Sequence, residues 1–158
     1  KASLDHTKFV VDTDWPGQAA LVAGYAADGA SVAGAGVIDG QAPMFVTSLD
    51  ADSDQFTFGQ QGTPSRAYPI IDRVRLVDFK HSRGVSAKDV IVQDSTGFHL
   101  HFLNCSGVLV DSVTVNADLR WPNNDGIDIT SCNDTVIRNC WITTGDDAIS
   151  PKTWQKYG

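Results

Sequence analysis

The stretches that decide the fold are GVSAKDVIV at residues 84–92, GVLVDSVTV at residues 107–115 and DTVIRNCWI at residues 134–142. Each alternates apolar, often β-branched residues with polar ones, which is typical of a half-buried strand. The three segments begin at Gly84, Gly107 and Asp134. Similarity that returns at such an interval indicates a repeat architecture.

The remainder of each repeat keeps this register. Cys105 falls on Cys132, and FHLHF at residues 98–102 precedes the first cysteine much as GIDI at residues 126–129 precedes the second. Repeats of about 20 to 30 residues without a helical stripe predict a parallel β-helix, one coil per repeat. A leucine-rich repeat has a similar period but requires an L-x-x-L-x-L pattern, which these Val- and Ile-rich segments lack. We therefore expect an all-β chain in which residues 1–158 form one parallel β-helix domain.

The N-terminal half is less regular than the repeats. Residues 19–24 and 30–40 are predicted to form strands with tight glycine turns, and residues 74–79 resume the strand pattern. Residues 41–66 are polar and are predicted to form a solvated loop.

Composition and charge exclude several classes of function. The formal net charge is -7, which disfavours nonspecific binding to nucleic acid or to a membrane surface. No apolar run is long enough to span a membrane. Asp50, Asp52 and Asp54 are close together but lack the ligand and glycine order of an EF-hand, so we predict no metal and no cofactor.

The cysteines and glycosylation sequons bear on the cellular compartment. Cys105, Cys132 and Cys140 are too few for a disulfide framework. Cys105 and Cys132 lie one coil apart, where either a bridge or a pair of buried thiols is possible. Sequons begin at Asn104 and Asn133, which weakly favours a secreted protein, although such matches also arise by chance.

Two turns differ from the others because they carry clustered carboxylates. They are NNDGID at residues 123–128 and TGDDAI at residues 144–149. Asp125 and Asp147 are one coil apart in the sequence, so Asp125, Asp146 and Asp147 should share one face of adjoining rungs. Repulsion among like charges raises at least one carboxyl pKa and gives a protonated acid beside an ionised base, as glycoside hydrolysis requires. Asn and Asp also serve as ordinary turn residues, but three aspartates in coil register favour a functional site.

These motifs resemble those of glycoside hydrolase family 28, the polygalacturonase-type pectin hydrolases. NNDG at residues 123–126 and GDD at residues 145–147 are similar to the family's N-T/N-D-G and G-D-D motifs, and GAGVIDG at residues 34–40 is similar to its G-x-G-x-I-D-G segment. The resemblance implies a right-handed parallel β-helix that hydrolyses α-linked galacturonic acid in pectin with inversion. A pectic polysaccharide substrate and a secreted, extracellular location follow from the same resemblance.

Residue roles are implied by the same motifs. Asp146 resembles the general acid, whereas Asp125 and Asp147 resemble the pair that holds and activates water. The acid and base carboxyls of an inverting site lie about 6.5–9.5 Å apart. Asn123 is expected to orient Asp125 or to contact sugar. Lys152 lies where the family often has a basic residue, so it either faces a uronate carboxylate or is an ordinary turn lysine.

Aromatic residues and histidines surround these motifs. Trp121 and Trp154 flank the site and could stack on sugar rings, whereas Trp141 is expected to be a packing residue of its strand. His99 and His101 alternate along one strand, so they either line the cleft or are hydrogen-bonded strand histidines.

The family pattern continues with G-H-G and R-I-K segments, which do not occur in this sequence. We therefore expect an N-terminal portion whose β-helix is incomplete at the C-terminus and is completed by further residues or by a second chain.

Two other functions are compatible with the predicted fold. A polysaccharide lyase would use calcium and a basic residue to remove a proton, and the aspartate cluster without a nearby arginine disfavours it. A non-catalytic glycan-binding β-helix would tolerate the loss of Asp146, whereas a hydrolase would not.

Overall fold

The computed structural model of the chain describes residues 10–11, 18–44, 46–50, 55–58, 73–121 and 123–156. Strands predominate in these ranges, and a short 3-10 helix spans Ala42–Met44. The strands are β1 (Val10–Val11), β2 (Gln18–Tyr25), β3 (Ser31–Ala33), β4 (Val37–Asp39), β5 (Val46–Asp50), β6 (Gln55–Phe58), β7 (Arg73–Lys80), β8 (Ser86–Lys88), β9 (Ile91–Gln93), β10 (Leu100–Leu103), β11 (Ser106–Asp111), β12 (Thr114–Asn116), β13 (Ile127–Thr130), β14 (Asn133–Arg138), β15 (Trp141–Thr143) and β16 (Ile149–Lys152). None of the described segments is a helix of the length and apolarity that a membrane span requires.

Three stacks of strands form the body of the fold. Sheet 1 has the order β1-β2-β7-β10-β13-β16, sheet 2 has β14-β11-β8-β3 and sheet 3 has β15-β12-β9-β4. Neighbouring strands are parallel except β1, which runs antiparallel to β2. From β7 onward the chain adds one strand to each sheet in turn and then begins the next coil. The predicted parallel β-helix is confirmed.

The strand register agrees with the repeats of the sequence. Leu109 pairs with Ser86 of the preceding coil and with Val136 of the following coil, which is the alignment of the three repeated segments. Leu100 pairs with Ile127, and Ile127 pairs in turn with Ile149. Equivalent side chains therefore form rows that cross the coils, because paired strands lie about 4.8 Å apart.

The hydrophobic core lies between the three sheets. Its rows include Val77, Leu100 and Ile127 on sheet 1, and the rings of Phe79 and Phe102 stack with their centroids 6.0 Å apart. Burying one such side chain contributes about 1.5–3 kcal/mol. Alternate residues of sheet 1 therefore face inward, and the residues between them form the opposite face, which carries the polar groups described below.

The corners of the coils use the left-handed backbone conformation. The residue that follows β7, β10 or β13 has a φ of 50–52°, and the residue that follows β8, β11 or β14 has a φ of 55–56°. These residues are His81, Asn104, Ser131, Asp89, Ser112 and Asn139. Asn and Asp tolerate this region better than most residues, which explains their frequency between the strands.

The prediction of a solvated loop at residues 41–66 is wrong in part. β5 pairs antiparallel with β6, and a 3-10 helix precedes them. Backbone pairing between two nearby segments satisfies their N–H and C=O groups, and polar composition does not prevent it. Of the three aspartates considered there, Asp50 ends β5, while Asp52 and Asp54 lie outside the described residues.

The cysteines are free thiols in this structure. The backbone N–H of Cys105 donates to Sγ of Cys132 at 3.3 Å, so the two residues lie on adjoining coils as the sequence register predicts. The two thiols interact directly, and this interaction together with burial raises the pKa of Cys105.

Candidate active site

Two turns on adjoining coils of sheet 1 carry the three aspartates. The first acidic turn, residues 123–126, leads into β13, and the second acidic turn, residues 144–148, leads into β16. The N–H of Gly126 donates to the carbonyl of Asp147 at 2.8 Å, and the N–H of Ile127 donates to that of Ala148 at 3.1 Å. Asp125 therefore lies on the rung next to Asp146 and Asp147.

A buried amide side chain joins the two turns. Oδ1 of Asn124 accepts the backbone N–H of Gly145 at 2.8 Å, and Asn124 is fully buried. No role was predicted for Asn124 from the sequence. The sequence places Asn124 inside an acidic turn, which could have indicated a role in the site. It does not show that the side chain points toward the neighbouring turn.

The carboxylate of Asp146 is exposed and held by backbone donors. The N–H of Asn123 donates to its Oδ2 at 3.1 Å, and the N–H of Asp147 donates to its Oδ1 at 3.0 Å. The main chain of Asn123 therefore orients Asp146, whereas the family motif implied that Asn123 orients Asp125 or contacts sugar. The hydroxyl of Ser150 donates to Oδ2 of Asp147 at 3.1 Å. Each exposed carboxylate thus has a fixed direction.

Asp125 has a different environment, with only 4% of its surface exposed. Nζ of Lys152 donates to its Oδ2 at 3.0 Å. Burial raises the pKa of Asp125, Lys152 opposes that rise, and the charge of Asp146 adds to it. Asp125 is therefore buried, whereas Asp146 on the adjoining rung is exposed.

His99 supports Asp125 from the preceding coil. Both its backbone N–H and its Nδ1 bond to the carbonyl of Asp125, at 2.9 and 3.0 Å. Burial lowers the pKa of His99 to about 4, so the imidazole is neutral at neutral pH. Nδ1 then carries the proton and donates it. Of the two possibilities left open by the sequence, His99 is a buried, hydrogen-bonded histidine, and it lies one residue before β10 begins.

Lys152 also contacts a carboxylate for which the sequence predicted no role. Its Nζ donates to Oδ1 of Asp128, which is fully buried. The ammonium lies 4.5 Å from the centroid of the Phe98 ring. Burial alone lowers the pKa of Lys152, but its hydrogen bonds to Asp128 and Asp125 outweigh burial and raise it. The Lys152 side chain is therefore a charged ammonium group that is hydrogen-bonded to two carboxyls of the candidate site.

A second buried ion cluster lies along the same face of sheet 1. Arg75 donates to Oδ2 of Asp78 at 2.9 Å, and Nδ1 of His101 lies 2.8 Å from Oδ1 of Asp78. Burial raises the pKa of Asp78, but His101, Arg75 and Lys80 outweigh it and lower that pKa to about 2. Burial lowers the pKa of His101, so its neutral ring donates from Nδ1 and accepts the hydroxyl of Thr130 at Nε2. His101 is thus a hydrogen-bonded strand histidine.

Trp121 and Trp141 are placed differently from the sequence expectation. Trp121 is buried, so its ring presents no open face to a sugar, and Trp154 is half-buried. Trp141 is 72% exposed, so the expectation that it packs inside its strand is wrong. It pairs with Thr114 in sheet 3 at a position whose side chain faces away from the core.

Gly145 provides a steric test of the second acidic turn. A Cβ at this position would lie 2.4 Å from the carbonyl oxygen of Trp121 and 2.6 Å from that of Leu119. Because both neighbours are backbone atoms, we expect Gly145→Ala to lower the free energy of unfolding by about 1–3 kcal/mol. The matched control is Gly36→Ala, since nothing lies within 4 Å of a Cβ there. Urea unfolding of both variants measures the change in the free energy of unfolding. Equal decreases for Gly145→Ala and Gly36→Ala would show that the second acidic turn accommodates the added Cβ.

The carboxylates of the two turns do not form a metal centre with their neighbours. Within the part of the chain that the structure describes, no group of three or more His, Cys, Asp or Glu side chains is arranged to hold a metal ion.

Comparison with known proteins identifies a protein family that matches this chain. The model of the family described as glycosyl hydrolases family 28 matches residues 3–156. A polygalacturonase of Chamaecyparis obtusa is 34% identical over 119 residues, covering 74% of this chain and 21% of that protein. An exopolygalacturonase of Platanus acerifolia is 30% identical over 150 residues, covering 95% of this chain and 34% of that protein.

Solved structures agree on the fold. A polygalacturonase from Erwinia carotovora gives a TM-score of 0.69 at 24% identity, over 92% of this chain and 38% of that one. An exopolygalacturonase from Thermotoga maritima gives 0.67 at 23% identity, over 86% of this chain and 36% of that one. The predicted right-handed sense of the parallel β-helix is confirmed. The chain spans about a third or less of the two sequence relatives described. By the family model and these relatives, the chain belongs to glycosyl hydrolase family 28.

Proposed function

We propose that the protein carrying this chain hydrolyses α-linked galacturonic acid in pectic polysaccharide, with inversion at the anomeric carbon. Family membership and relatives that bear the name polygalacturonase support the reaction class and the substrate. The observation that carries the proposal is the pairing of the nearly buried Asp125 with the exposed Asp146 on the next rung. Carboxyls in unlike environments can divide the roles of acid and base.

The proposed roles are those that the family motifs imply, because burial alone, which raises the pKa of Asp125, would favour Asp125 as the acid. Asp146 is exposed and is the general acid, which protonates the glycosidic oxygen. Asp125 and Asp147 hold and activate the attacking water. The contact of Lys152 with Asp125 favours the ionised form that a base requires, against the opposing effect of burial. An inverting enzyme places that water between acid and base.

Two residues are proposed to contribute to substrate binding. Asn123 has an exposed side chain beside Asp146 and can reach a sugar hydroxyl. Lys152 is partly exposed and can attract a uronate carboxylate, although two of its donors already serve Asp125 and Asp128. We further propose an extracellular site of action on cell-wall pectin.

The outermost described coil supports a proposal about assembly. Ile149 occupies the inward row of Leu100 and Ile127, which are fully buried, yet Ile149 is 45% exposed. We propose that further coils of the protein or a second chain cover this position, because solenoid coils bury their apolar faces by stacking.

The reaction is tested by assaying the natural protein on polygalacturonic acid. We expect new reducing ends, no unsaturated sugar products detectable by their ultraviolet absorbance, and no loss of rate with EDTA. Unsaturated products and EDTA sensitivity would instead identify a lyase. Binding without turnover would identify a glycan-binding β-helix.

A further inference from the structure

The carboxyl of Asp128 is satisfied on one side only. Asp128 is fully buried on β13, and its Oδ1 accepts from the Lys152 ammonium. Its Oδ2 is also buried, and it has no hydrogen-bond partner among the described residues. An ionised carboxylate in this position would leave a charged oxygen without a donor, which is costly in a protein interior.

Titratable and charged side chains of β7, β10, β16 and the first acidic turn lie around Asp128. Lys152 comes from β16 and Asp125 from the first acidic turn. His101 is its register partner on β10, and Asp78 pairs with His101 one coil further on. The charge of Arg75 on β7 also acts on Asp128, and Lys80 lies 3.7 Å from Asp78.

An aromatic ring lies against the cations of this region. Phe98 is half-buried and lies against Lys152, and the guanidinium carbon of Arg75 lies 5.4 Å from its ring centroid. The ring centroids of Phe98 and His101 are 5.6 Å apart. The ring therefore lies beside Lys152 and Arg75, the two cations whose charges act on Asp128.

The balance of charges around Asp128 favours its protonated form. Two carboxyls on Asp125 and Asp128 share the single ammonium of Lys152, so ionising both leaves an excess negative charge in a buried site. A proton on Oδ2 of Asp128 removes that excess and leaves Oδ1 as the acceptor for Lys152. Burial raises the pKa of Asp128 to about 7, and Asp125 adds to the rise while Lys152 and Arg75 oppose it.

We propose that Asp128 is a positioning residue which, as a neutral carboxylic acid, holds the Lys152 ammonium against the Asp125 carboxylate. We call Asp125, Asp128 and Lys152 together the lysine clamp. Below the pKa of Asp128, the Lys152 ammonium faces a single carboxylate, that of Asp125, and favours its ionised form against burial, which raises the pKa of Asp125. Above that pKa, Asp128 becomes a carboxylate, competes for Lys152 and repels Asp125. This inference rests on the proposed role of Asp125 as a base.

Three variants of the natural protein test the clamp through kcat and KM between pH 5 and 8. Asp128→Leu removes the acceptor for Lys152, so kcat should fall about tenfold with little change in KM. Lys152→Met should cause a loss of similar size in kcat. Asp128→Asn keeps Oδ1 as acceptor and imitates the neutral acid, so it should restore most of the kcat lost in Asp128→Leu. It should also weaken the decline of kcat/KM above about pH 7.

The matched control is Asp134→Asn, which removes one carboxylate from an exposed position on the same coil. It should leave the pH profile unchanged. An Asp128→Asn variant as impaired at pH 5 as Asp128→Leu would overturn the proposal, because the clamp would then need a charged Asp128. An Asp128→Asn profile identical to the wild type would overturn it as well.

A second measurement separates the clamp from the enzymatic function. Carbon-13 NMR of aspartate-labelled protein should show one carboxyl that titrates at about pH 7 and disappears in Asp128→Asn. Absence of that titration refutes the clamp even if the protein is a hydrolase. If the wild type cleaves no pectic substrate, the proposed function fails, and the NMR titration alone decides the charge state of Asp128.

Discussion

Replacing Asp146 by asparagine is expected to lower kcat on polygalacturonic acid by about a hundredfold to ten-thousandfold, the range that general acid catalysis supplies. An amide cannot deliver the proton that the leaving oxygen needs. KM should change little, because the substitution removes a group that acts mainly in the transition state. The measurement is the initial rate of reducing-end release at the pH optimum.

The fold should survive this substitution. Asp146 is exposed, and an asparagine Oδ1 can still accept one of the two backbone N–H groups that bind the carboxylate. Asp134→Asn serves as the control for the loss of one exposed carboxylate. If Asp146→Asn retained more than about a tenth of the wild-type kcat, Asp146 would not be the general acid.

Removing Asp78 is expected to cost more stability than any surface change in the chain. Asp78→Ala deletes the acceptor of the buried Arg75 and of the buried His101, 2.9 and 2.8 Å away. Breaking a buried charge pair by deleting one partner costs about 3–5 kcal/mol, because the remaining charge loses its counter-ion in a poorly solvated site. The free energy of unfolding in urea measures this loss.

An exposed aspartate–arginine ion pair at the surface of the chain serves as the matched control for Asp78 and Arg75. Asp111 accepts from the guanidinium of Arg138 at 2.8 Å, but the Arg138 side chain is well exposed to solvent. Asp111→Ala should change stability little, because exposed ion pairs contribute little. Equal losses from Asp78→Ala and Asp111→Ala would show that the sheet 1 cluster is solvated rather than buried.

Much of the fold could be predicted from the spacing of its strands. The sequence offset that aligns Cys105 with Cys132 is also the register in which β11 pairs with β14. The same logic put Asp125 on the rung beside Asp147, because the strands that follow the two aspartates pair with each other, Ile127 with Ile149. Parallel stacking converts sequence offsets into spatial neighbours, so these inferences needed no side-chain detail.

The contacts beneath the site could not be predicted in this way. Asp128 occupies the face of its strand opposite the core, where a polar residue is ordinarily solvated. Asp128 is nevertheless fully buried, and spacing alone does not encode the direction of the Lys152 side chain that binds it. The prediction for Trp141 was wrong because a large apolar residue in a strand was assigned to the core. The row of sheet 3 that contains Trp141 faces away from the core.

The central claim is that Asp125 and Asp147 direct water at the anomeric carbon while Asp146 protonates the leaving oxygen. Proton NMR of the first product formed from an α-linked oligogalacturonide tests it most directly, before the anomers equilibrate. A single displacement by water predicts that the β-anomer appears first. Initial release of the α-anomer would mean a double displacement through a covalent intermediate and would contradict the roles assigned to these three aspartates.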